Sequence, residues 1–202
     1  MNKKQKIAIG INIFTAITQL VVSSILIIRR GFAAFGYYTM DSNIFAAVTS
    51  IFLIISLLTK KEVSERIHNF RYYSTCCVTL TFLVVITILV PMDGWHTLPN
   101  RLFMGTDLWL HTVGPLLNIV SFIFFERENT LSKKQPLLAI IPTIIYAIFA
   151  IILNLLKVID GPYFFLKIYE QPIWEVIMWL AIIGILVFII ALILKKATSA
   201  KK

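Results

Sequence analysis

Residues 176–194 read VIMWLAIIGILVFIIALIL, a run of 19 residues without a charge. A helix rises about 1.5 Å per residue and the hydrocarbon core of a bilayer is about 30 Å thick, so this run is long enough to cross a membrane. Five more apolar runs of similar length precede it. The chain is therefore predicted to be an all-α integral membrane bundle of six transmembrane helices in a single domain, 1–202, with spans at about 7–28, 38–59, 72–92, 108–125, 136–156 and 174–194.

The charge of the chain is distributed in a way that predicts its topology. Hydrophobic residues make up 58% of the sequence and the net charge is +9. If the amino terminus is cytoplasmic, fourteen basic residues lie in the inner segments and five in the outer ones, as the positive-inside rule requires. Both termini are thus expected in the cytoplasm, and the basicity does not indicate a nucleic-acid partner. The inner set is Lys3, Lys4, Lys6, Lys60, Lys61, Arg66, Arg71, Arg127, Lys133, Lys134, Lys195, Lys196, Lys201 and Lys202.

Prolines and cysteines give further local expectations. Pro91 is expected to end the third span, and Pro115 and Pro142 are expected to bend the spans that contain them, because proline has no N–H to donate. Cys76 and Cys77 are adjacent on one helix, so they are expected to pack as small apolar residues rather than to form a disulfide.

The three outer connections are rich in aromatic residues mixed with glycine and proline. Two interpretations stay open: the aromatic side chains form a belt at the headgroup level, or the loops fold over the mouth of a cavity. The inner connections are polar, and His68 in the basic inner loop is expected to be solvated.

Polar residues inside the spans recur at helical spacing on two helices. Because a polar group facing lipid is costly, these two stripes are expected to face a shared interior. The apolar runs contain no Asp, Glu, Lys or Arg, which argues against an ion-coupled transporter. The stripes are Thr39, Asn43 and Ser50 on the second helix, and Asp107, His111, Asn118 and Ser121 on the fourth.

Thr39 and His111 are the residue types of a nucleophile and its general base. Both are expected near the same face of the membrane, and a neutral imidazole can take the proton of a hydroxyl. Asp107, four residues before His111, either orients the imidazole or favours the dipole at the start of the helix. Asn43 either donates to a developing oxyanion or bonds one helix to another. From spacing alone, another interpretation of His111 stays open, because a buried histidine is more often a structural group or part of a proton or ion path.

The remaining expectations concern what surrounds this pair. Asn118 is a possible supporting residue, and no metal or cofactor is required. The expected partner is a membrane lipid or a fatty acid ester, and the oligomeric state is left open. The candidate substrate-pocket residues are Tyr38, Ser42, Trp95, Pro115 and Tyr146.

Two short motifs carry a resemblance to a known family. The stretch 37–43, YYTMDSN, and the stretch 110–116, LHTVGPL, together with the segment GPYFF at 161–165, resemble the androgen-induced protein and androgen-dependent TFPI-regulating protein family, including its bacterial branch. Members are described as transmembrane threonine hydrolases of fatty acid esters of hydroxy fatty acids. The resemblance implies six spans and assigns the essential threonine and histidine to Thr39 and His111.

Residue chemistry and resemblance together lead to one functional hypothesis and two alternatives. The hypothesis is an intramembrane hydrolase of lipid esters in a bacterial plasma membrane, with Thr39 as nucleophile, His111 as base and the active site toward the outer face. The first alternative is a lipid acyltransferase that uses the same site. The second is a membrane transporter or channel, and a non-catalytic lipid-binding scaffold is a further possibility.

Overall fold

A computed structural model of the chain describes residues 1–126 and 130–199. Six helices in those ranges are long and apolar enough to span a membrane, which confirms the predicted fold class. They are α1 (Lys3–Arg30), α2 (Tyr38–Thr59), α3 (Glu65–Asp93), α5 (Gly105–Phe125), α6 (Gln135–Leu155) and α7 (Ile173–Ser199). A short helix, α4 (Leu98–Phe103), lies between α3 and α5. The end of the bundle that carries α4 is called the outer end and the opposite one the inner end, after the topology that the sequence predicts. Arg127, Lys201 and Lys202 of the predicted inner basic set lie outside the described residues.

The third span is longer than predicted at its beginning, and Pro91 does not end it. It starts at Glu65, where the Ser64 side chain caps it by accepting from the Ile67 N–H, and it continues to Asp93. The backbone widens to a π-helix over Val85–Leu89, just before Pro91. A wider turn of this kind rearranges the hydrogen bonds near the proline, so the helix can continue through it. The helix therefore begins before the apolar run that starts at residue 72, and it includes the charged residues Glu65, Arg66 and Arg71.

Both prolines that were expected to bend their spans lie next to irregular helix, and the bends themselves stay a prediction. The backbone before Pro115 is π-helical over Leu108–Val113. In α6 the helix is interrupted at Ala139–Ile140, immediately before Ile141–Leu155 resumes with Pro142 in its first turn.

The helices divide into a polar interior and an apolar flank. α1, α2, α3 and α5 pack together, while α7 lies against α3 and α5 and α6 lies against α3 and α7; α6 and α7 are less buried. The flank is joined by an apolar cluster that includes Leu80, Phe122, Tyr146 and Val187. Cys76 and Cys77 are buried and unpaired within this cluster, as expected.

A buried ion pair links the inner ends of the four interior helices. Arg71 on α3 bonds Glu126, with 2.9 Å between Nε and Oε2, and both side chains are almost fully buried. Arg71 also donates to Ser50 and Asn118, while Asn12 and Ser121 donate to Glu126. Burial alone would raise the pKa of Glu126, but the guanidinium of Arg71 holds it below its usual value. The apolar runs hold no charge, but the interior does, because both residues flank these runs and fold inward as a pair.

His68 is likewise buried rather than solvated. It is 1% exposed, and its ring stacks on Phe122 with centroids 5.3 Å apart. It lies in the first turns of α3, in a stretch for which the sequence predicts a solvated loop.

Candidate active site

Thr39 and His111 meet at the outer end of the polar interior. Thr39 lies in the first turn of α2, and His111 lies in the π-helical part of α5. The distance from Thr39 Oγ1 to His111 Nε2 is 3.3 Å. The imidazole is 8% exposed and Thr39 is half-buried. The sequence prediction that these two side chains share one interior is therefore confirmed.

The other nitrogen of His111 is held by the backbone of α4. Nδ1 lies 2.8 Å from the carbonyl oxygen of Arg101. A carbonyl only accepts, so Nδ1 carries the proton and Nε2 presents its lone pair to Thr39. The next residue, Thr112, donates to the carbonyl of Leu102 at 2.7 Å. Two consecutive side chains of α5 thus hold two consecutive carbonyls of α4, and this contact fixes the orientation of the imidazole.

Asp107 is not the group that holds the ring. Its carboxylate is 4.0 Å from His111 Nδ1, beyond hydrogen-bonding distance, and its side chain is 41% exposed. It lies in the first turn of α5, where a negative charge favours the helix dipole. The geometry therefore favours the dipole interpretation of Asp107 over the orienting one.

Asn43 bonds helices together rather than facing the hydroxyl of Thr39. Its Nδ2 donates to the carbonyls of Thr39 at 2.8 Å and of Leu110 at 3.1 Å, and its Oδ1 accepts from Gln19 at 2.9 Å. Both protons of its amide are therefore in use, so an oxyanion role for Asn43 has no donor left. Gly114 provides the space for this junction, because a Cβ there would lie 2.9 Å from Gln19 Nε2 and 3.1 Å from Asn43 Oδ1.

Asn118 and Ser121 belong to the inner network and not to the Thr39–His111 pair. Asn118 Oδ1 accepts from Arg71, and Ser121 donates to Glu126 at 2.6 Å. Both polar stripes predicted from the sequence face the interior. In each stripe, some residues lie near the Thr39–His111 pair and the others bond the Arg71–Glu126 pair at the other end of the bundle.

Thr39 lies between a polar cavity and an apolar pocket. The polar one, here the outer cavity, has a volume of about 410 Å³ and is lined by Thr39, His111, Asp107, Arg101 and Tyr163 among others. The apolar one, here the deep pocket, measures about 50 Å³ and is lined by Thr39 and Tyr163 together with side chains of α3, α6 and α7. Both cavities thus share the residue that carries the candidate nucleophile.

A third cavity, here the lateral groove, lies between α2, α3 and α6. It measures about 560 Å³ and is lined mainly by apolar side chains. Tyr38 and Tyr146 line both the groove and the deep pocket. Their rings are in edge contact with centroids 5.0 Å apart, and their hydroxyls bond Thr143 and the carbonyl of Gly36. These two tyrosines form the wall between the groove and the deep pocket.

Of the five predicted substrate-pocket residues, three line a cavity and two do not. Tyr38, Tyr146 and Ser42 line the lateral groove, and the first two also line the deep pocket. Trp95 is 64% exposed and lines none of these three cavities, and Pro115 is buried in α5 and also lines none of them. Of the aromatic residues in the outer loops, Tyr37, Tyr163 and Phe164 lie over the cavity mouth, whereas Phe32, Trp95 and Phe103 are exposed. The cavity interpretation is therefore supported for the first three side chains, and the belt at the headgroup level stays a prediction for the exposed ones.

Sequence reasoning missed three contributors to the site: the carbonyl of Arg101, Gln19 and Tyr163. A backbone carbonyl from a separate short helix leaves no residue-type signal. Gln19 did leave one, since Asn12, Gln19 and Ser23 on α1 follow each other at spacings of seven and four residues, and all three are buried. No cluster of three or more His, Cys, Asp or Glu side chains suited to a metal ion occurs in residues 1–126 and 130–199.

Comparisons of the chain with family models, with curated proteins and with solved structures gave no match. The family resemblance read from the two short motifs stays a prediction.

Proposed function

We propose that this protein is a membrane-embedded hydrolase of lipid esters in which Thr39 is the nucleophile and His111 the general base. The observation that carries the proposal is the 3.3 Å contact between Thr39 Oγ1 and His111 Nε2, with Nδ1 already engaged by a carbonyl. A threonine hydroxyl needs a base to become a nucleophile, and this arrangement offers one in the right tautomer. Hydroxyl–base contacts are often long without substrate and shorten when it binds.

The reaction follows from these two side chains. His111 Nε2 takes the proton of Thr39 Oγ1 as that oxygen bonds to the ester carbonyl carbon. The tetrahedral intermediate collapses, the carbon–oxygen bond to the alcohol breaks, and the alcohol leaves with the proton from His111. Water then attacks the acyl-threonine while His111 takes one of its protons. Cleavage of the bond to Oγ1 returns that proton to Thr39 and releases the acid.

The cavities favour an ester substrate that has an apolar part and a polar part. The deep pocket on one side of Thr39 is apolar, and the outer cavity on the other side is lined by charged residues. In a membrane-spanning protein, the lateral groove faces the acyl region of the bilayer and offers a route for a lipid chain. These features favour a fatty acid ester as substrate, in agreement with the family resemblance. The positive-inside distribution favours a site toward the outer face, and the bacterial branch of the resemblance suggests the plasma membrane.

Acyl transfer is the alternative that uses the same chemistry. If an alcohol or a second lipid replaces water in the second step, the acyl-threonine transfers its acyl group instead of being hydrolysed. Product analysis with and without an added alcohol acceptor separates the two outcomes.

Transport is the alternative from another class, and the Arg71–Glu126 pair bears on it. Buried charges in transmembrane helices often mark ion or proton paths. Here the pair is bonded to neighbouring polar side chains, and neither residue lines any of the three cavities around the site. This closed arrangement favours a structural role for the pair.

A fluorophosphonate probe on purified protein in detergent tests the proposed hydrolase. We expect the probe to label the protein, and we expect Thr39→Ala and His111→Ala to lose labelling and ester hydrolysis by at least about 10³-fold. Thr87→Ala and His96→Ala are matched controls, because Thr87 faces outward from α3 and His96 is exposed in the outer loop.

Ser121→Ala is unsuitable as a control, because Ser121 bonds the buried Glu126. Hydrolysis that survives in Thr39→Ala would refute the proposal. Solute uptake into liposomes by a protein that cleaves no ester would favour transport.

A further inference from the structure

Tyr163 lies near Thr39 and takes no part in the proton transfers proposed above. It lies in the outer loop between α6 and α7, and it lines both the outer cavity and the deep pocket. Thr39 also lines both cavities and also carries a hydroxyl group. The hydroxyl of Tyr163 lies close enough to Thr39 and to the backbone of Tyr38 at the start of α2 for these groups to influence its pKa.

The loop is built to hold this tyrosine in place. Its ring stacks on Phe165 with centroids 5.1 Å apart and an interplanar angle of 8°, and it makes an edge contact with Tyr37 at 6.3 Å. Two residues earlier, Gly161 has φ +75°, and a Cβ there would lie 2.9 Å from the carbonyl oxygen of Leu166. The loop therefore turns only with glycine at position 161, and the aromatic contacts fix the direction of the Tyr163 ring.

The attack of Thr39 creates a negative charge on the carbonyl oxygen of the ester, and Asn43 has no proton left to stabilise it. The N–H groups of the first residues of α2 make no bond within the helix, because the first such bond comes from Met40. The start of a helix also favours negative charge. A hydroxyl that faces Thr39 and the start of α2 is well placed to donate to the same oxygen. Burial raises the pKa of Tyr163, so its hydroxyl keeps the proton that such a donor needs.

We propose that Tyr163 donates the hydrogen bond that stabilises the oxyanion of the tetrahedral intermediate, next to the N-terminus of α2. This assignment rests on the proposed hydrolase function. As the Thr39 oxygen bonds to the carbonyl carbon, the carbonyl π electrons move to its oxygen, which accepts from the Tyr163 O–H. The proton stays on Tyr163, and the bond weakens again when the intermediate collapses.

Tyr163→Phe tests this role because it removes the hydroxyl and keeps the ring. Loss of one oxyanion donor lowers kcat by about 10²–10³-fold, so we expect a fall of this size with KM little changed. Tyr169→Phe is the matched control: Tyr169 lies in the same loop, its hydroxyl donates to the Leu155 carbonyl, and it is 61% exposed. We expect its kcat to equal that of the unaltered protein.

A second readout separates an oxyanion donor from a merely structural tyrosine. A thionoester replaces the carbonyl oxygen by sulfur, which is a weaker hydrogen-bond acceptor. We expect the ester to react much faster than its thionoester in the unaltered protein, and we expect this ratio to shrink at least about tenfold in Tyr163→Phe. A structural role would lower both rates together and leave the ratio unchanged.

The outcomes distinguish this proposal from the function on which it rests. If Thr39→Ala abolishes hydrolysis while Tyr163→Phe keeps its kcat, or keeps the ester-to-thionoester ratio, Tyr163 is not the donor and the hydrolase stands. If Thr39→Ala hydrolyses the ester normally, both proposals are overturned.

Discussion

At His111, one backbone carbonyl determines which ring nitrogen is available as a base. The Arg101 carbonyl occupies Nδ1, so the lone pair lies on Nε2, which faces Thr39. In serine hydrolases an aspartate fills this position and also stabilises the imidazolium that forms during the reaction. A neutral carbonyl orients the ring and offers less electrostatic stabilisation. The proposed site therefore resembles a dyad with a backbone acceptor more than a triad.

This difference leads to a prediction for Asp107. Replacing the aspartate of a true triad by asparagine lowers kcat by about 10⁴-fold. Because Asp107 lies 4.0 Å from His111 Nδ1, we expect Asp107→Asn to lower kcat less than about tenfold. Steady-state hydrolysis assays measure this, with His111→Ala as the reference for a full loss. A loss in Asp107→Asn as large as that reference would show that the carboxylate moves onto the ring during catalysis.

Between elements, the decisive contact is the close approach of α5 to α1 and α2 at Gly114. A Cβ at this position would lie 2.8 Å from the Trp109 carbonyl oxygen and 2.9 Å from Gln19 Nε2. Any side chain there must displace the amides that join the three helices, three residues after His111. The small residue therefore supports the position of the imidazole.

Gly114→Ala is accordingly expected to lower both stability and activity. Alanine normally favours a helix over glycine by about 1 kcal/mol, but overpacking typically costs about 1–3 kcal/mol. We expect the Tm in detergent to fall by several degrees and hydrolysis to fall at least about tenfold. Gly184→Ala on α7 is the matched control, since a Cβ there meets nothing within 4 Å, and its Tm is expected to stay or rise. Equal behaviour of the two variants would contradict the role given to Gly114.

The six spans could be predicted from the sequence because apolar length is a local property of each run. The pairing of Thr39 with His111 could be predicted as well, since helical spacing and the direction of each span placed both side chains at one end. The Arg71–Glu126 pair could not, because each charge borders an apolar run and nothing local shows that both fold inward. The role of the Arg101 carbonyl depends on how α4 lies against α5, which only the folded chain defines.

Across the whole molecule, the proposed site lies at one end of the bundle and the ion pair at the other. Thr39 lies in the first turn of α2 and Trp95 follows the end of α3, so both are at the same end, while Lys60 follows α2 at the opposite end. Between the two ends, Asn43 bonds the Leu110 carbonyl, and Asn118 bonds both the Gly114 carbonyl and Arg71. The orientation of the bundle therefore decides which side of the membrane supplies the water for hydrolysis.

The distribution of basic residues predicts that the site opens outward, and cysteine labelling tests this. We expect Trp95→Cys to react with a membrane-impermeant maleimide on intact cells, and Lys60→Cys to react only after the cells are permeabilised. Trp95 is 64% exposed and Lys60 is exposed, so each new thiol is reachable from its own side. The native Cys76 and Cys77 are buried, so the unaltered protein is the control and should stay unlabelled. Labelling of Lys60→Cys on intact cells would reverse the topology, and the proposed hydrolase would then act on lipids of the cytoplasmic leaflet.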